Sequence, residues 1–156
     1  MNRLNFSWVI PNRLAGCAGP QDFSDLLFLR RQGINSVVRL AEEYIVQVSR
    51  EEIAKSGLKD FHEPIKDSTA PSQNQINRIV CYVRKSIDNG DVIAVSCDAG
   101  IGRTGTILVC ILISLEHSTQ EALDIVERTR RYRAWEVNEQ YEAILDYAKT
   151  LGKERP

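Results

Sequence analysis

The sequence predicts an α/β fold, a central and mostly parallel sheet flanked by helices, formed as one domain over residues 1–156. Three observations lead there. Short β-branched runs alternate with longer stretches whose apolar residues repeat at helical spacing, the pattern of strand–helix units. No linker, internal repeat or low-complexity block divides the chain. A chain of 156 residues is also long enough to fold to an accessible area of ~8,000 Å², burying about two thirds of its extended surface. Such a core needs no metal or disulfide to staple it.

The elements follow in order. Strands are expected at Phe6–Ile10 and Leu14–Gly16, parted by the turn signal Pro11-Asn12. Asp22–Arg31 carries apolar residues at 23, 26, 27 and 28 and reads as a helix closed by Gly33. Ile34–Leu40 is a strand with a buried centre at Val37-Val38. Residues 49–56 fit a helix ended by Gly57, and Leu58–His62 fits the next strand. Ser72 with Gln75 forms a capping box, after which Ile76, Ile79, Val80, Val83 and Ile87 mark one helical face. Asn89-Gly90-Asp91 stops that helix, and Val92–Val95 is a short apolar run suited to a central strand. Arg103–Glu116 is apolar on nearly every face and reads as a buried helix. Ser118 with Glu121 caps another, to about Arg130, and Val137–Leu151 forms the last.

Charge and composition exclude several functions. Lys and Arg total 20 against 21 Asp and Glu, a net charge of -1, so neither a basic nucleic-acid wrapper nor an acidic tail is expected. A local positive pocket remains compatible with that balance. Two histidines and four scattered cysteines, with no Cys-x2-Cys pair, give little material for a metal site, and no cofactor is expected. The longest apolar run, Ile107–Ile113, is far short of the ~20 residues that cross a bilayer. No export signal is read at the N-terminus. The expectation is a cytoplasmic monomer without a stable nucleic-acid or membrane partner.

Residues 92–106, VIAVSCDAGIGRTGT, carry the chemistry. A strand ending in a glycine-containing loop that opens a buried helix is an anion site. First-turn N–H groups have no internal partner, loop N–H groups curl into a nest, and glycines admit the backbone angles required. Arg103 adds a planar fork matched to two phosphoryl oxygens. A cysteine at the mouth of that cradle ionises more readily than a free thiol. Cys97 taken alone would read as a buried thiol, as most cysteines in apolar chains are; the loop around it changes that reading. The missing Gly-Lys-Ser/Thr ending excludes an ATP-type phosphate loop.

Cys97-x5-Arg103-Thr104, within CDAGIGRTGT, resembles the signature of the cysteine-dependent protein tyrosine phosphatase superfamily, and its small atypical dual-specificity members in particular. FSWVIPNRLAGCAGP at residues 6–20 resembles the N-terminus of those members. The resemblance implies a phosphatase-like fold with the Cys-x5-Arg loop between a central strand and a buried helix, and one catalytic domain. It implies two steps, with Cys97 attacking phosphorus to form a cysteinyl-phosphate intermediate. Asp98, Ala99, Gly100, Ile101, Gly102 and Arg103 would bind the phosphate, and Thr104 would steady the thiolate as leaving group. Asp67, in PIKDSTAPS, matches the family's general acid; Asp60 and Glu63 are spare carboxylates closer to the strand. Gln140, in WEVNEQYE, matches a glutamine that places the hydrolytic water. Arg131 matches an arginine near the pocket, one of a cluster with Arg128, Arg130 and Arg133 that would equally suit a helix end.

The chain departs from the family pattern in three places. Ser96 replaces the usual histidine before the nucleophile, Lys66 replaces a proline before the acid, and Tyr132-Arg133 stands where Pro-Gly is frequent. None removes a reacting atom. The expected function is hydrolysis of phosphotyrosine, with phosphoserine and phosphothreonine as further substrates on a phosphorylated protein or peptide. The alternatives are a non-protein phosphomonoester, 5′-phosphorylated RNA, or a catalytically weak phosphopeptide-binding module.

Overall fold

The computed structural model describes residues 3–152. A 3₁₀ turn, Arg3–Asn5, leads into β1 (Ser7–Ile10) and β2 (Leu14–Ala18). There follow α1 (Phe23–Arg31), β3 (Ser36–Arg39), α2 (Arg50–Lys55), β4 (Lys59–His62), α3 (Gln73–Asp88), β5 (Ile93–Cys97), α4 (Gly102–Ser114), α5 (Thr119–Arg130) and α6 (Asn138–Thr150). The strands form one sheet in the order β1-β2-β5-β3-β4. β1 and β2 are an antiparallel hairpin, while β2, β5, β3 and β4 run parallel. The mixed α/β architecture is the one read from the sequence.

The order puts β5 in the middle, with β2 and β3 on its two sides. Its Ile93–Cys97 segment is buried throughout, as a central parallel strand covered on both faces must be. The strand runs two residues beyond the apolar run that the sequence displays. The ladder with β2 continues through Cys17↔Ser96 and Ala18↔Cys97, so backbone pairing, rather than side-chain hydrophobicity, sets the end. Cys97 is thereby the last residue of a strand with a neighbour on either side.

Two apolar clusters cover the sheet. The larger joins Val38, Val95, Ile76, Ile79 and Val83 to Ile107, Leu108, Ile111 and Leu112. The smaller packs Leu26, Leu29, Ile34, Val37 and Ile53 against Ala15 and Ala94. Every residue of α4 is buried, which explains why its sequence lacks an amphipathic period. Each fully buried Ile or Leu there contributes about 1.5–3 kcal/mol relative to exposure, so the helix beneath the loop is anchored along its whole length. Reciprocal capping boxes begin α2, α3 and α5 at Ser49/Glu52, Ser72/Gln75 and Ser118/Glu121. None of the helices is long and apolar enough to cross a membrane, among the described residues.

Candidate active site

The carboxyl ends of parallel strands are where α/β sheets bind ligands, and the candidates Cys97, Arg103, Thr104 and Asp67 gather there. Cys97 ends β5 and is almost fully buried, and Arg103 lies one residue into α4. The Thr104 hydroxyl donates to the Cys97 Sγ at 3.1 Å. With α4 beginning at Gly102, its first-turn N–H groups have no intrahelical acceptor and the positive end of the helix dipole faces the loop.

Gly100 lets the loop close tightly. Its φ is +79°, and a Cβ there would sit 2.5 Å from the backbone carbonyl carbon of Cys17. The loop is held from behind by Arg130, buried to 4% exposure. Arg130 Nη2 donates to the Gly100 carbonyl at 2.6 Å, and Nη1 donates to the carbonyls of Asn5 and Gly16 and to Ser7 Oγ. Of the arginine cluster, Arg130 is therefore the member that reaches the loop. Arg131 follows it exposed, with φ +67° at the end of α5. The difference is one helical step: the inward face of α5 carries Ala122, Val126 and Arg130. At the rim, Tyr132 donates to Asn5 Oδ1, and Asn5 Nδ2 donates to the Ala99 carbonyl, both at 3.3 Å.

Arg103 is positioned by a residue that sequence reading missed. Glu42, in the segment after β3, accepts from Arg103 Nη1 at 2.6 Å, and Nη1 also donates to the Ile65 carbonyl at 2.7 Å. Nε makes no hydrogen bond among the described residues, so the Nε/Nη2 edge of the fork stays open to an oxyanion. Nη2 lies 3.4 Å from Asp67 Oδ1. The other Glu42 oxygen accepts from the Asp67 N–H and the Tyr44 hydroxyl, each at 3.0 Å. Burial pushes the Glu42 carboxyl up, but the hydrogen bonds from Asp67, its own backbone, Arg103 and Tyr44 outweigh it, and the pKa falls from 4.5 to about 2. Glu42 is thus an anion at neutral pH. One signal could have found it: it lies just past the carboxyl end of a parallel strand adjacent to β5.

Asp67 lies in a tight turn with its side chain 61% exposed. The spare carboxylates are engaged elsewhere: Asp60 holds Arg39 through two bonds of 2.7 and 2.8 Å, and Glu63 holds Arg78. Gln140 is completely buried. Its Oε1 accepts from the Glu136 and Val137 N–H groups at 2.8 and 3.4 Å, and its Nε2 donates to the Thr69 carbonyl at 3.1 Å.

A cavity of about 550 Å³ opens beside Cys97, walled by residues 19–21 and by Tyr44, Ile45, Val46 and Val48. Ser96 and Arg39 stand at its inner side. Cys17 is paired across from Ser96, and paired residues of a ladder share a face, so successive Ser96 and Cys97 place Cys17 on the opposite face from the Cys97 side chain. Burial pushes the Cys17 thiol to about 12 and raises Cys110 as well, which leaves both inert at neutral pH.

Three comparisons bear on this arrangement. A family model described as "Polymorphic toxin system, DSP-PTPase phosphatase" matches residues 17–117. Human dual specificity protein phosphatase CDC14A is 25% identical over 122 residues, covering 70% of this chain. The chain spans only 20% of CDC14A. The phosphatidylglycerophosphate phosphatase PTPMT1 of Arabidopsis thaliana is 28% identical over 125 residues, covering 80% of this chain and 37% of that protein. Among solved structures, Tk-PTP in the active form superposes with a TM-score of 0.86 at 31% identity, over 95% of this chain and 99% of that one.

Proposed function

We propose that this chain, which belongs to the DSP-PTPase family of cysteine-dependent phosphatases, hydrolyses phosphotyrosine, with phosphoserine and phosphothreonine as further substrates, on proteins or peptides. One observation carries the reading: the buried Cys97, the Thr104 hydroxyl 3.1 Å from its sulfur, and the open edge of Arg103 beside Asp67 meet at the end of β5. Nucleophile, leaving-group stabiliser, charge clamp and acid are then within one site.

The first step forms a bond from the Cys97 sulfur to phosphorus and breaks the ester P–O bond. The departing oxygen takes the electron pair and a proton from the Asp67 carboxyl. Arg103 and the N–H groups of residues 98–103 stabilise the charge on the equatorial oxygens, a donor set assembled before substrate arrives. In the second step water attacks phosphorus, its proton passes to the Asp67 carboxylate, and the S–P bond breaks. The Thr104 hydroxyl then donates to the returning thiolate. The cavity beside Cys97 is mixed in character, with Tyr44, Ile45, Val46 and Val48 standing among Gln21, Arg39, Gln47 and Ser96. It offers both apolar contact and hydrogen-bond partners to a phosphopeptide; phosphotyrosine is the leading substrate of this reading. The reading includes a cytoplasmic monomer acting as one catalytic domain, and Arg131 as an exposed contact for residues flanking the phosphate.

A panel run beside Cys97→Ser tests it: an aryl phosphate, phosphotyrosine and phosphothreonine peptides, phosphatidylglycerophosphate and 5′-triphosphate RNA. Turnover of the peptides is expected, and Cys97→Ser should lose nearly all of it while still binding inorganic phosphate. Unchanged activity in that variant would sink the covalent mechanism. Turnover confined to the lipid or the RNA would move the substrate class and leave the mechanism standing.

A further inference from the structure

The acid turn is held at two points, and by different elements. Residues 66–69 close on themselves: the Thr69 N–H and hydroxyl both donate to the Lys66 carbonyl, at 3.2 and 2.6 Å, with Ser68 at φ +60°. Nothing within that turn fixes where it points. Glu42 takes the Asp67 N–H at one end, and Gln140 gives an N–H to the Thr69 carbonyl at the other.

Gln140 is well suited to that task and poorly suited to holding water. It is 0% exposed, so water would have to enter the packed base of α6 to reach it. Its carbonyl end is fixed by two N–H groups where α6 starts, which forces the amide nitrogen toward Thr69. The partners also agree chemically, with donors around the oxygen and an acceptor at the nitrogen. A side chain clamped at its oxygen end and spent on a carbonyl at the other is a strut.

We propose that Gln140 is a positioning residue for proton transfer. It braces the acid turn through Thr69 so that the Asp67 carboxyl stays beside Arg103, in place of the water-placing role that the family resemblance suggests. The inference rests on Asp67 being the acid. It follows that the enzyme holds its acid turn in place before substrate arrives, with the 3.4 Å approach of Asp67 to Arg103 as the result. Loss of the strut lowers the fraction of molecules with the acid in reach. The penalty then falls on the P–O cleavage that needs a proton most, and has little effect where the leaving oxygen is stable as an anion.

The experiment compares phenyl phosphate, a poor leaving group, with 2,4-dinitrophenyl phosphate, a good one, in Gln140→Glu, Asp67→Asn and the double variant. Gln140→Glu keeps the acceptor for the α6 N–H groups but, ionised, has no proton for Thr69. Release of phenol in a single turnover should fall about 10–100-fold, and release of dinitrophenol at most about 3-fold, a part of what full loss of the acid costs. On phenyl phosphate the phospho-Cys97 adduct, followed by mass spectrometry, should not accumulate. The bracing serves P–O cleavage of this ester at least as much as the second step, in which Asp67 takes the proton of water. The double variant should be no slower than Asp67→Asn, since a strut has nothing to add once the acid is gone. Gln140→Met, which also lacks the donor, carries the same test if the glutamate variant misfolds.

Unchanged single-turnover release on both substrates, with adduct accumulating on phenyl phosphate, would overturn the proposal and return Gln140 to the water. If Asp67→Asn discriminates between the substrates and the Gln140 variants do not, the strut fails and the acid assignment stands. If Asp67→Asn itself does not discriminate, the acid assignment fails and the strut falls with it.

Discussion

The Cys97–Arg103 loop, proposed as the phosphate cradle, and the 66–69 turn, proposed to carry the acid, lie at the same end of the sheet and are built in opposite ways. The cradle is continuous chain: it begins at the end of a buried strand, ends in the first turn of a buried helix, and is fastened behind by Arg130. The 66–69 turn is four residues of surface loop that is hydrogen-bonded by two side chains from distant parts of the chain, Glu42 and Gln140. In the proposed mechanism the two regions meet different demands: rigid oxyanion donors, and a carboxyl that alternately gives and takes a proton. The first demand is met by burial, and the second by an exposed group on braced supports. Perturbing the cradle should therefore slow every substrate, whereas perturbing the turn should slow them selectively.

The largest effects belong to the cradle. Arg103→Lys keeps the charge but loses the planar fork, whose Nη1 is spent on Glu42 and Ile65 and whose other edge is open. Turnover should fall about 10²–10³-fold on good and poor leaving groups alike, the scale of removing transition-state donors. Gly100→Ala should come close to it, about 10²-fold, because the added Cβ meets the Cys17 backbone at a φ of +79°. Steady-state rates on phenyl and dinitrophenyl phosphates check both. A loss that depends on the leaving group would break the contrast between the two regions.

Glu42→Gln touches both regions and should cost less, about 10-fold, and more on phenyl than on dinitrophenyl phosphate. The amide can still accept from Asp67 but no longer pairs with the Arg103 charge. A second consequence concerns acid stability. The Glu42 carboxyl is depressed to about 2 in the folded protein from an ordinary 4.5, so the unfolded chain binds its proton first as pH falls. The stability it contributes is fully present above about 4.5 and disappears as pH drops toward 2. Acid unfolding followed by circular dichroism should show that slope in the parent and a flatter curve in Glu42→Gln. Parallel curves would mean that the carboxylate is not what holds the two loops.

The same contrast explains what the sequence could tell. The strands, the helix caps and the Cys97–Arg103 loop are local: spacing, turn residues and apolar runs within about 15 residues define them. Cys97, Arg103 and Thr104 share one loop and the first turn of its helix, so a short motif displays them together. The supports are non-local. Glu42 is 61 residues from Arg103, and Gln140 is 71 from Thr69. No period or cap marks either as a partner, because a buried polar side chain on an otherwise ordinary stretch becomes informative only once the fold brings its acceptor near. Arg130 and Arg131 show the limit within a single element. The cluster was readable, but which arginine faces inward depended on where α5 ended and on the register of its buried face.

The smallest expected effect lies at Ser96, between the two regions and part of neither. Its ladder partners are Cys17 and Arg39, so its side chain shares their face of the sheet and opens on the cavity of about 550 Å³. Ser96→His, the residue usual in related phosphatases, has room there without displacing Cys97. The neighbouring Arg39 is already paired through two bonds to Asp60, so a neutral imidazole meets no unbalanced charge. No reacting atom changes, and the rate at the pH optimum should stay within about 3-fold of the parent. The imidazole starts from the face opposite the Cys97 side chain. Where it reaches round the end of β5 to the sulfur, the added donor favours the anionic form, and the acid limb of kcat/KM should move to lower pH by less than about one unit. Substrate ionisation overlaps this limb, so the comparison must use one aryl phosphate for both proteins. An unmoved limb would show that the imidazole fails to reach the sulfur, and a shift to higher pH would overturn the prediction. A rate loss approaching that of Gly100→Ala would show that the cradle depends on the sheet face behind it as well as on Arg130.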